Sequence, residues 1–486
     1  MEAPAPRLDR SADTPLYIQL ADSLREAIAS GAYPAGGRLP AVRPLAGKLD
    51  LNPSTVVAAY RILEQEGRLR TRPGSGVYVE TGGAAAEGGP AGPALEPATG
   101  AAGRPPVRID LAAAAPPAGR FPIGDIKRLM NEVLDRDGGA AFEYQESGGY
   151  RPLRAAAADH FAAAHGFRPD VADIHIVSGA QQGIDLAAKA LLAPGDWALT
   201  ENPSYRGAVD VFWSRGARVE GLEIGPGGVD PDELAAAALR RRPKLFYLMP
   251  CFQTPTTVSY TPEVRRAVLA SAAAADFYLV EDDSFSDLAY APAPGGFRPF
   301  PLKAEDAAGR VLYIKSFSKI LMPGLRLACL VAPAALRQRI ERAKLSSDLS
   351  SNGFLQRMLE LYLSRGDHER HAERLRAAYG ERRDLAVAAL APLVRRGARC
   401  SSPAGGLHLW LELPPDVAAR DLQAYARGAG CALQREAAYR WTAGPDRHLR
   451  LSYAVAEPAD FAAGADILAE GIDRLRAAGP QAPQAL

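Results

Sequence analysis

The sequence predicts an α/β protein in two parts: a small N-terminal helix-turn-helix unit closed by a two-stranded hairpin, and a large unit built on a mostly parallel sheet with a smaller C-terminal α+β lobe. Three observations carry this. Apolar residues recur every four positions near the start of the chain; a stretch of small and turn-forming residues then breaks all periodicity; beyond it, helical stretches alternate with short apolar strands. At 486 residues the chain also exceeds what one ordinary core organises.

In TPLYIQLADSLREAIASG, Leu16, Leu20, Leu24 and Ile28 make an apolar stripe that Gly31 ends, which predicts a first helix over this stretch. VRPLAGKL (42–49) fits a second helix. After the tight DLN link, PSTVVAAYRILEQEG (53–67) fits a third, with Asn52 as cap, Pro53 at the first helical position, and Val56, Ala59, Tyr60 and Leu63 facing inward. Helices joined this closely predict a helix-turn-helix. RLRTRPGSGVYV (68–79) reads as two strands around Pro-Gly-Ser-Gly, the position of a wing. A helical oligomerisation module accounts for the periodicity equally well. DNA binding is favoured by Arg43 at a helix start, by the short hydroxyls Ser54 and Thr55 on the outer face, and by Arg68, Arg70 and Arg72 alternating along one strand.

From Gly82 to Pro106 the chain reads GGAAAEGGPAGPALEPATGAAGRPP, with almost nothing large and apolar to bury. The division is therefore a small unit over 12–80, a flexible linker over 81–106 and a large domain over 107–480. In the large part, strands are expected at 173–179, 197–201, 244–249, 276–282, 311–316 and 327–332, with helices between most of them. Residues 406–413 and 448–455, separated by a helical stretch over 419–430, predict the smaller lobe.

Composition narrows the classes without selecting one. An apolar fraction of 47% with 23% charged residues describes soluble globular protein, and a formal net charge of +1 says nothing about partners. No apolar run reaches the length of a membrane span, so no membrane association is expected. Cys251, Cys329, Cys400 and Cys431 lie far apart without metal-ligand spacing, which predicts a reducing, cytoplasmic location and no metal site.

Several strand ends carry polar groups. Lys319 lies in SFSK, Asp282 in VEDD, and Ser178-Gly179-Ala180-Gln181 opens a helix whose amino end suits a phosphate. Taken singly, such a lysine is a surface charge and such an aspartate a cap. Together they supply what pyridoxal 5'-phosphate requires: an amine for its aldehyde, a carboxylate for its pyridine nitrogen, and donors for its phosphate.

The N-terminal run PLY.QL...LR..I..G....G.RLP..R.LA..L..N..TV..AYR.LE.EG.L..R.GSG.YV resembles the winged helix-turn-helix of GntR-family transcription regulators over nearly its full length. That resemblance implies operator contacts from Arg43, Ser54, Thr55, Arg70 and Gly76. Ser316 three residues before Lys319, Arg326 seven after it, ENPSY (201–205) and AFEYQESGGYRPLRAAAADHF (141–161) resemble fold-type I pyridoxal-phosphate enzymes of the aminotransferase class. Joined, the two halves are similar to the MocR-type subfamily.

The resemblance implies a Schiff base on Lys319, Asp282 on the pyridinium nitrogen, and Ser316, Arg326, Ala180 and Gln181 around the phosphate. Tyr205 belongs to the same site, Tyr144 would reach the neighbouring subunit's phosphate, and Arg450 in HLRLSY would grip the carboxylate of an amino-compound effector. Relatives commonly have Asn-Pro-Thr-Gly where this chain has Thr254-Pro-Thr-Thr257, and a tyrosine shortly after the aspartate where it has Ser284-Phe285. Both missing groups serve the cofactor's ring oxygen, leaving Thr254 as a weak substitute. The expected function is an operator-binding homodimer with swapped domains that responds to an amino compound or to pyridoxal 5'-phosphate itself, with at most weak transaminase activity. A true aminotransferase with a fused DNA module, or a cofactor-free scaffold, are the alternatives.

Overall fold

The computed structural model describes residues 16–29, 32–34, 36–65, 69–72, 76–79, 106–113, 115–290, 296, 299–442 and 444–478. The linker expected over 81–106 lies, except for Pro106, outside the described residues. The chain divides into two compact units, Met1–Gly88 and Gly89–Leu486.

In the small unit, α1 (Leu16–Ala29), α2 (Val42–Leu49) and α3 (Pro53–Gln65) precede strands β1 (Leu69–Arg72) and β2 (Gly76–Val79). The stripe expected from the sequence is the core: Leu20 and Leu24 of α1 meet Val56, Ala59, Tyr60 and Leu63 of α3, all buried. Asp50 adopts a left-handed conformation (φ 51°) that ends α2, and the chain re-enters a helix three residues later. The hairpin is antiparallel, with Leu69 opposite Val79 and Arg72 opposite Gly76. The third helix is described as far as Gln65, and the last two residues of its expected span lie outside the described residues.

The large unit begins with β3 (Ile109–Asp110) and is organised by eight strands: β4 (Ile174–Val177), β5 (Trp197–Asn202), β6 (Arg218–Gly225), β7 (Gly228–Val229), β8 (Leu245–Leu248), β9 (Tyr278–Asp283), β10 (Val311–Ser316) and β11 (Ala328–Val331). Their order is β4-β11-β10-β9-β8-β5-β6-β7. Neighbours pair in parallel except at β11, antiparallel to both its neighbours, and at the β6–β7 hairpin. Helices cover both faces, so alternate residues serve separate cores. Leu245, Val280, Leu312 and Ile314 pack on one side; Phe246, Leu279, Val311 and Tyr313 pack on the other.

Sequence reading missed β6 because its exposed Arg218 and half-buried Glu220 interrupt the apolar run that marks a doubly covered strand. The smaller lobe holds β12 (Arg399–Cys400), β13 (His408–Glu412), β14 (Cys431–Ala432), β15 (Gln434–Arg435) and β16 (His448–Ser452). Four of these form an antiparallel sheet in the order β12-β13-β16-β15, while β14 pairs with β3. That pairing ties the start of the large unit to its C-terminal lobe and sets Ala112 and Ala113 beside β16.

Candidate functional site

Asp282 and Asp283 are the last two residues of β9, and strand alternation sends them to opposite faces of the sheet. Asp282 shares its face with Tyr247 of β8, whose hydroxyl donates to Oδ2 at 2.8 Å, and Ser284 Oγ donates to Oδ1 at 3.2 Å. Burial pushes the Asp282 carboxyl up to about 6, against the pull of these two hydrogen bonds. A cation facing it would restore the charged form, which is the task of a carboxylate serving a pyridinium nitrogen.

Lys319 follows β10, the strand parallel to β9, with Ile314 opposite Asp282. Burial and the nearby Arg450 guanidinium lower its amine to about 8, partly offset by Asp282. The amine therefore sits between Asp282 and Arg450 electrostatically, and an unusually large share of it is neutral near physiological pH.

The third group is a cradle at the start of the helix Ala180–Leu191. Gly179 caps this helix at φ 86° without a side-chain bond, so the first-turn N–H groups of Ala180 and Gln181 have no intrahelical acceptor. Arg326 Nη2 donates to Ser178 O at 2.9 Å, and a Cβ on Gly179 would lie 2.5 Å from that same nitrogen. Only glycine permits this approach. Arg326 itself holds a left-handed conformation (φ 52°), strain of the kind that clusters at ligand sites. Ser316 is buried, with its Oγ accepting from Ser318 N at 3.3 Å. Gln181 accepts from the Tyr205 hydroxyl at 2.8 Å and donates to Gly207 O at 2.9 Å, which fixes the aromatic ring beside the helix start. Backbone N–H groups, a hydroxyl and a guanidinium around a glycine-lined gap fit a phosphate.

Arg450 lies at the centre of β16, 2% exposed. Its guanidinium donates to Ala112 O at 3.0 Å and Ala113 O at 3.4 Å, Nε has no hydrogen-bond partner, and no carboxylate pairs with it among the described residues. A buried cation without a counterion is costly, and an incoming carboxylate would remove that cost. Beside it stands His408, buried and held neutral by burial and by Arg450, with Nε2 3.2 Å from Pro255 O.

The remaining expected residues divide. Tyr144 is 89% exposed. Thr254 is half-buried. Phe285 is buried against the His408 ring and has no polar atom for the cofactor's ring oxygen. Thr257 has a left-handed backbone (φ 65°), a conformation that suits glycine, at the position where the resemblance puts glycine. In the small unit, Thr55 is half-buried in the first turn of α3 and Arg70 is exposed on the hairpin. Gly76 (φ 124°) closes the hairpin over the Arg38 side chain. The side chains of Arg43 and Ser54 lie outside the described residues.

Tyr247 and His408 were missed by sequence reasoning. In KLFYLM a site tyrosine and a core tyrosine occupy the same alternating pattern, and a single histidine in GLHLWLEL carries no spacing signal.

Residues 16–79 match the model of bacterial regulatory proteins of the gntR family, and residues 108–468 match aminotransferase class I and II. The HTH-type transcriptional regulator TauR of Rhodobacter capsulatus is 31% identical over 484 residues, covering 92% of this chain and 95% of its own. A 2-aminoadipate transaminase of Thermus thermophilus is 32% identical over 369 residues, 76% of this chain and 89% of its own. The crystal structure of a Pyrococcus horikoshii kynurenine aminotransferase superimposes with a TM-score of 0.71 at 29% identity, over 75% of this chain and 91% of that one. With a winged helix at one end and an aminotransferase fold at the other, the chain belongs to the MocR-type GntR-family transcription regulators.

Proposed function

We propose that this regulator holds pyridoxal 5'-phosphate on Lys319 and changes its affinity for operator DNA when an amino compound seats its carboxylate on Arg450. The observation that carries the reading is the convergence of a half-buried amine, a buried carboxylate with raised pKa, a glycine-lined anion cradle and an unpaired buried guanidinium. When bound, the cofactor would supply an aldehyde that reports amines. The chain's own residues do the rest: Asp282 balances the pyridinium charge, Ala180, Gln181, Ser316 and Arg326 anchor the phosphate, and Tyr205 confines the ring. Tyr144, exposed on its own chain, supports a homodimer in which it completes the neighbouring site, with domains exchanged between subunits.

The regulator reading is favoured over the enzyme reading by two losses at the ring oxygen. Phe285 offers no hydroxyl, and Thr254 is a shorter and weaker donor than the asparagine the resemblance puts there. A preorganised donor of this kind is worth roughly 10²-fold or more in rate. Thr254→Asn combined with Phe285→Tyr is therefore expected to raise keto-acid release at least about tenfold while the operator affinity of the unliganded protein stays unchanged. Rapid multiple turnover in the wild type, with no effect of any amino compound on DNA binding, would make the protein an enzyme.

Operator recognition is tested separately. Arg43→Ala is expected to weaken specific binding by about 1–3 kcal/mol if Arg43 reads a base edge. Arg70→Ala is expected to weaken binding uniformly across sequences and to reduce the salt slope by about 1, as a phosphate contact does. Mobility shifts at several salt concentrations distinguish the two, and unchanged affinity removes that residue from the interface.

A further inference from the structure

Asp283, on the face of the sheet opposite Asp282, belongs to a second polar cluster that the cofactor site does not use. Tyr313 Oη donates to its Oδ2 at 2.6 Å, and Lys315 Nζ lies 3.1 Å from Oδ2. The same ammonium lies 3.0 Å from Asp287 Oδ2, where His368 Nε2 also arrives at 3.2 Å. Asp283, Asp287 and Lys315 are all buried. Two carboxylates, one ammonium and two imidazoles, His165 and His368, one on each oxygen of Asp287, thus share an enclosed space in which every charge must be balanced locally.

Asp287 Oδ2 is fully engaged, whereas Oδ1 faces the end of the helix Arg151–His165. His165 Nε2 lies 3.2 Å from Oδ1 but is not aligned for a hydrogen bond; the residue is 95% enclosed, being 5% exposed. His160 Nε2 is also enclosed without a hydrogen-bond partner, and its ring stands edge-on to that of His165 with centroids 5.5 Å apart. One donor atom from each of His160, His165 and Asp287 lies within 4.8 Å of the other two. These three line a cavity of about 870 Å³, separate from the cofactor cradle, which gives a small solute a way in.

We propose that His160 Nε2, His165 Nε2 and Asp287 Oδ1 form a site for a divalent transition cation of the zinc type, with a fourth position open to water from the cavity. Two imidazole nitrogens and one carboxylate oxygen are a recurring zinc donor set, and bond lengths of about 2.0–2.2 Å would draw donors that now lie within 4.8 Å of one another inward around the ion. Lys315 and His368 orient the carboxylate from its other oxygen, as outer partners of a metal site do. The absence of cysteine spacing in the sequence is silent on such a site, since its ligands come from a helix end and from a turn more than 120 residues later. Asp287 lies five residues beyond Asp282 and two beyond Phe285, so the ion would tether the segment that borders the cofactor ring to the helix Arg151–His165.

The test uses tag-free, cofactor-loaded protein stripped with chelator and titrated with ZnCl2 by calorimetry, and with CoCl2 by absorption. The expected result is one ion per chain, with the intense d–d bands of four-coordinate cobalt at longer wavelength than the cofactor band and displaced by zinc. His160→Gln and His165→Gln should each weaken zinc by more than the ~10–100-fold that loss of an outer partner costs. MgCl2 should not compete. His160 is only partly buried, so His160→Gln is the variant least exposed to misfolding, and the wild-type cobalt spectrum needs no variant at all. Absence of stoichiometric zinc binding in the wild type overturns the proposal, as does binding that survives the His160→Gln/His165→Gln double variant.

Discussion

Replacing Lys319 with alanine is expected to abolish the visible absorption band of the cofactor-loaded protein and all cofactor that resists removal after borohydride reduction. The effect should be complete rather than partial. Lys319 is the lysine whose amine lies within electrostatic reach of both Asp282 and Arg450, with its amine lowered to about 8. At about pH 7.5 roughly a quarter of such amines are neutral, against ~0.1% of ordinary lysines, and only the neutral form attacks an aldehyde. Lys315, four residues earlier, cannot replace it, because its ammonium is bound to Asp283 and Asp287 on the other face of the sheet. The sign of the pH dependence follows. A lowered amine pKa means that the reactive form is gained as pH rises through about 8, so the rate of cofactor capture by stripped wild-type protein should climb up to that value and then level off. A rate that keeps climbing towards pH 10 would indicate an ordinary surface lysine. Borohydride-trapped cofactor on Lys319→Ala would assign the aldehyde to a different residue.

Much of this site was legible in the sequence for identifiable reasons. Buried parallel strands read as apolar runs, so their ends mark where polar groups gather, and Asp282, Ser316 and Lys319 stand at or just past such ends. The small unit was legible because α1 and α3 keep a four-residue apolar repeat with few exceptions. What escaped has a common cause: it depends on contacts between segments distant in the chain. Tyr247 meets Asp282 across 35 positions and His408 meets Pro255 across 153, and neither leaves a spacing pattern. The same holds for His160, His165 and Lys315, which look like one helix face and one core strand until the sheet brings them to Asp287. Arg450 stands between the two cases. The HLRLSY resemblance implies a carboxylate-binding role for it, but only the structure reveals that no carboxylate pairs with it among the described residues.

That lack of a counterion governs the second large effect. A guanidinium 2% exposed, satisfied by two backbone carbonyls and with Nε unpartnered, is held in the unliganded protein at a cost. An effector carboxylate would meet it with a planar, charge-assisted pair, and most of the gain would come from ending the isolation of the charge. Arg450→Ala is therefore expected to weaken the response to an amino-acid effector by roughly 100-fold, corresponding to about 3 kcal/mol for a lost enclosed charge pair. Basal operator affinity and the cofactor band should persist, since Asp282 and the phosphate cradle keep their own partners, while loss of the nearby guanidinium removes one of the two influences that lower the Lys319 amine and shifts cofactor capture to higher pH. The variant without effector should melt no lower than the wild type, because it loses an uncompensated charge rather than an ion pair. Fluorescence anisotropy of labelled operator DNA, titrated with amino acids and with the corresponding amines that lack a carboxylate, reads the first effect; thermal denaturation reads the last. Loss of response together with a marked drop in melting temperature would make Arg450 a structural residue of the β13–β16 lobe. A response that survives in Arg450→Ala, or one that amines elicit as well as amino acids do in the wild type, would place effector recognition on a group other than the carboxylate.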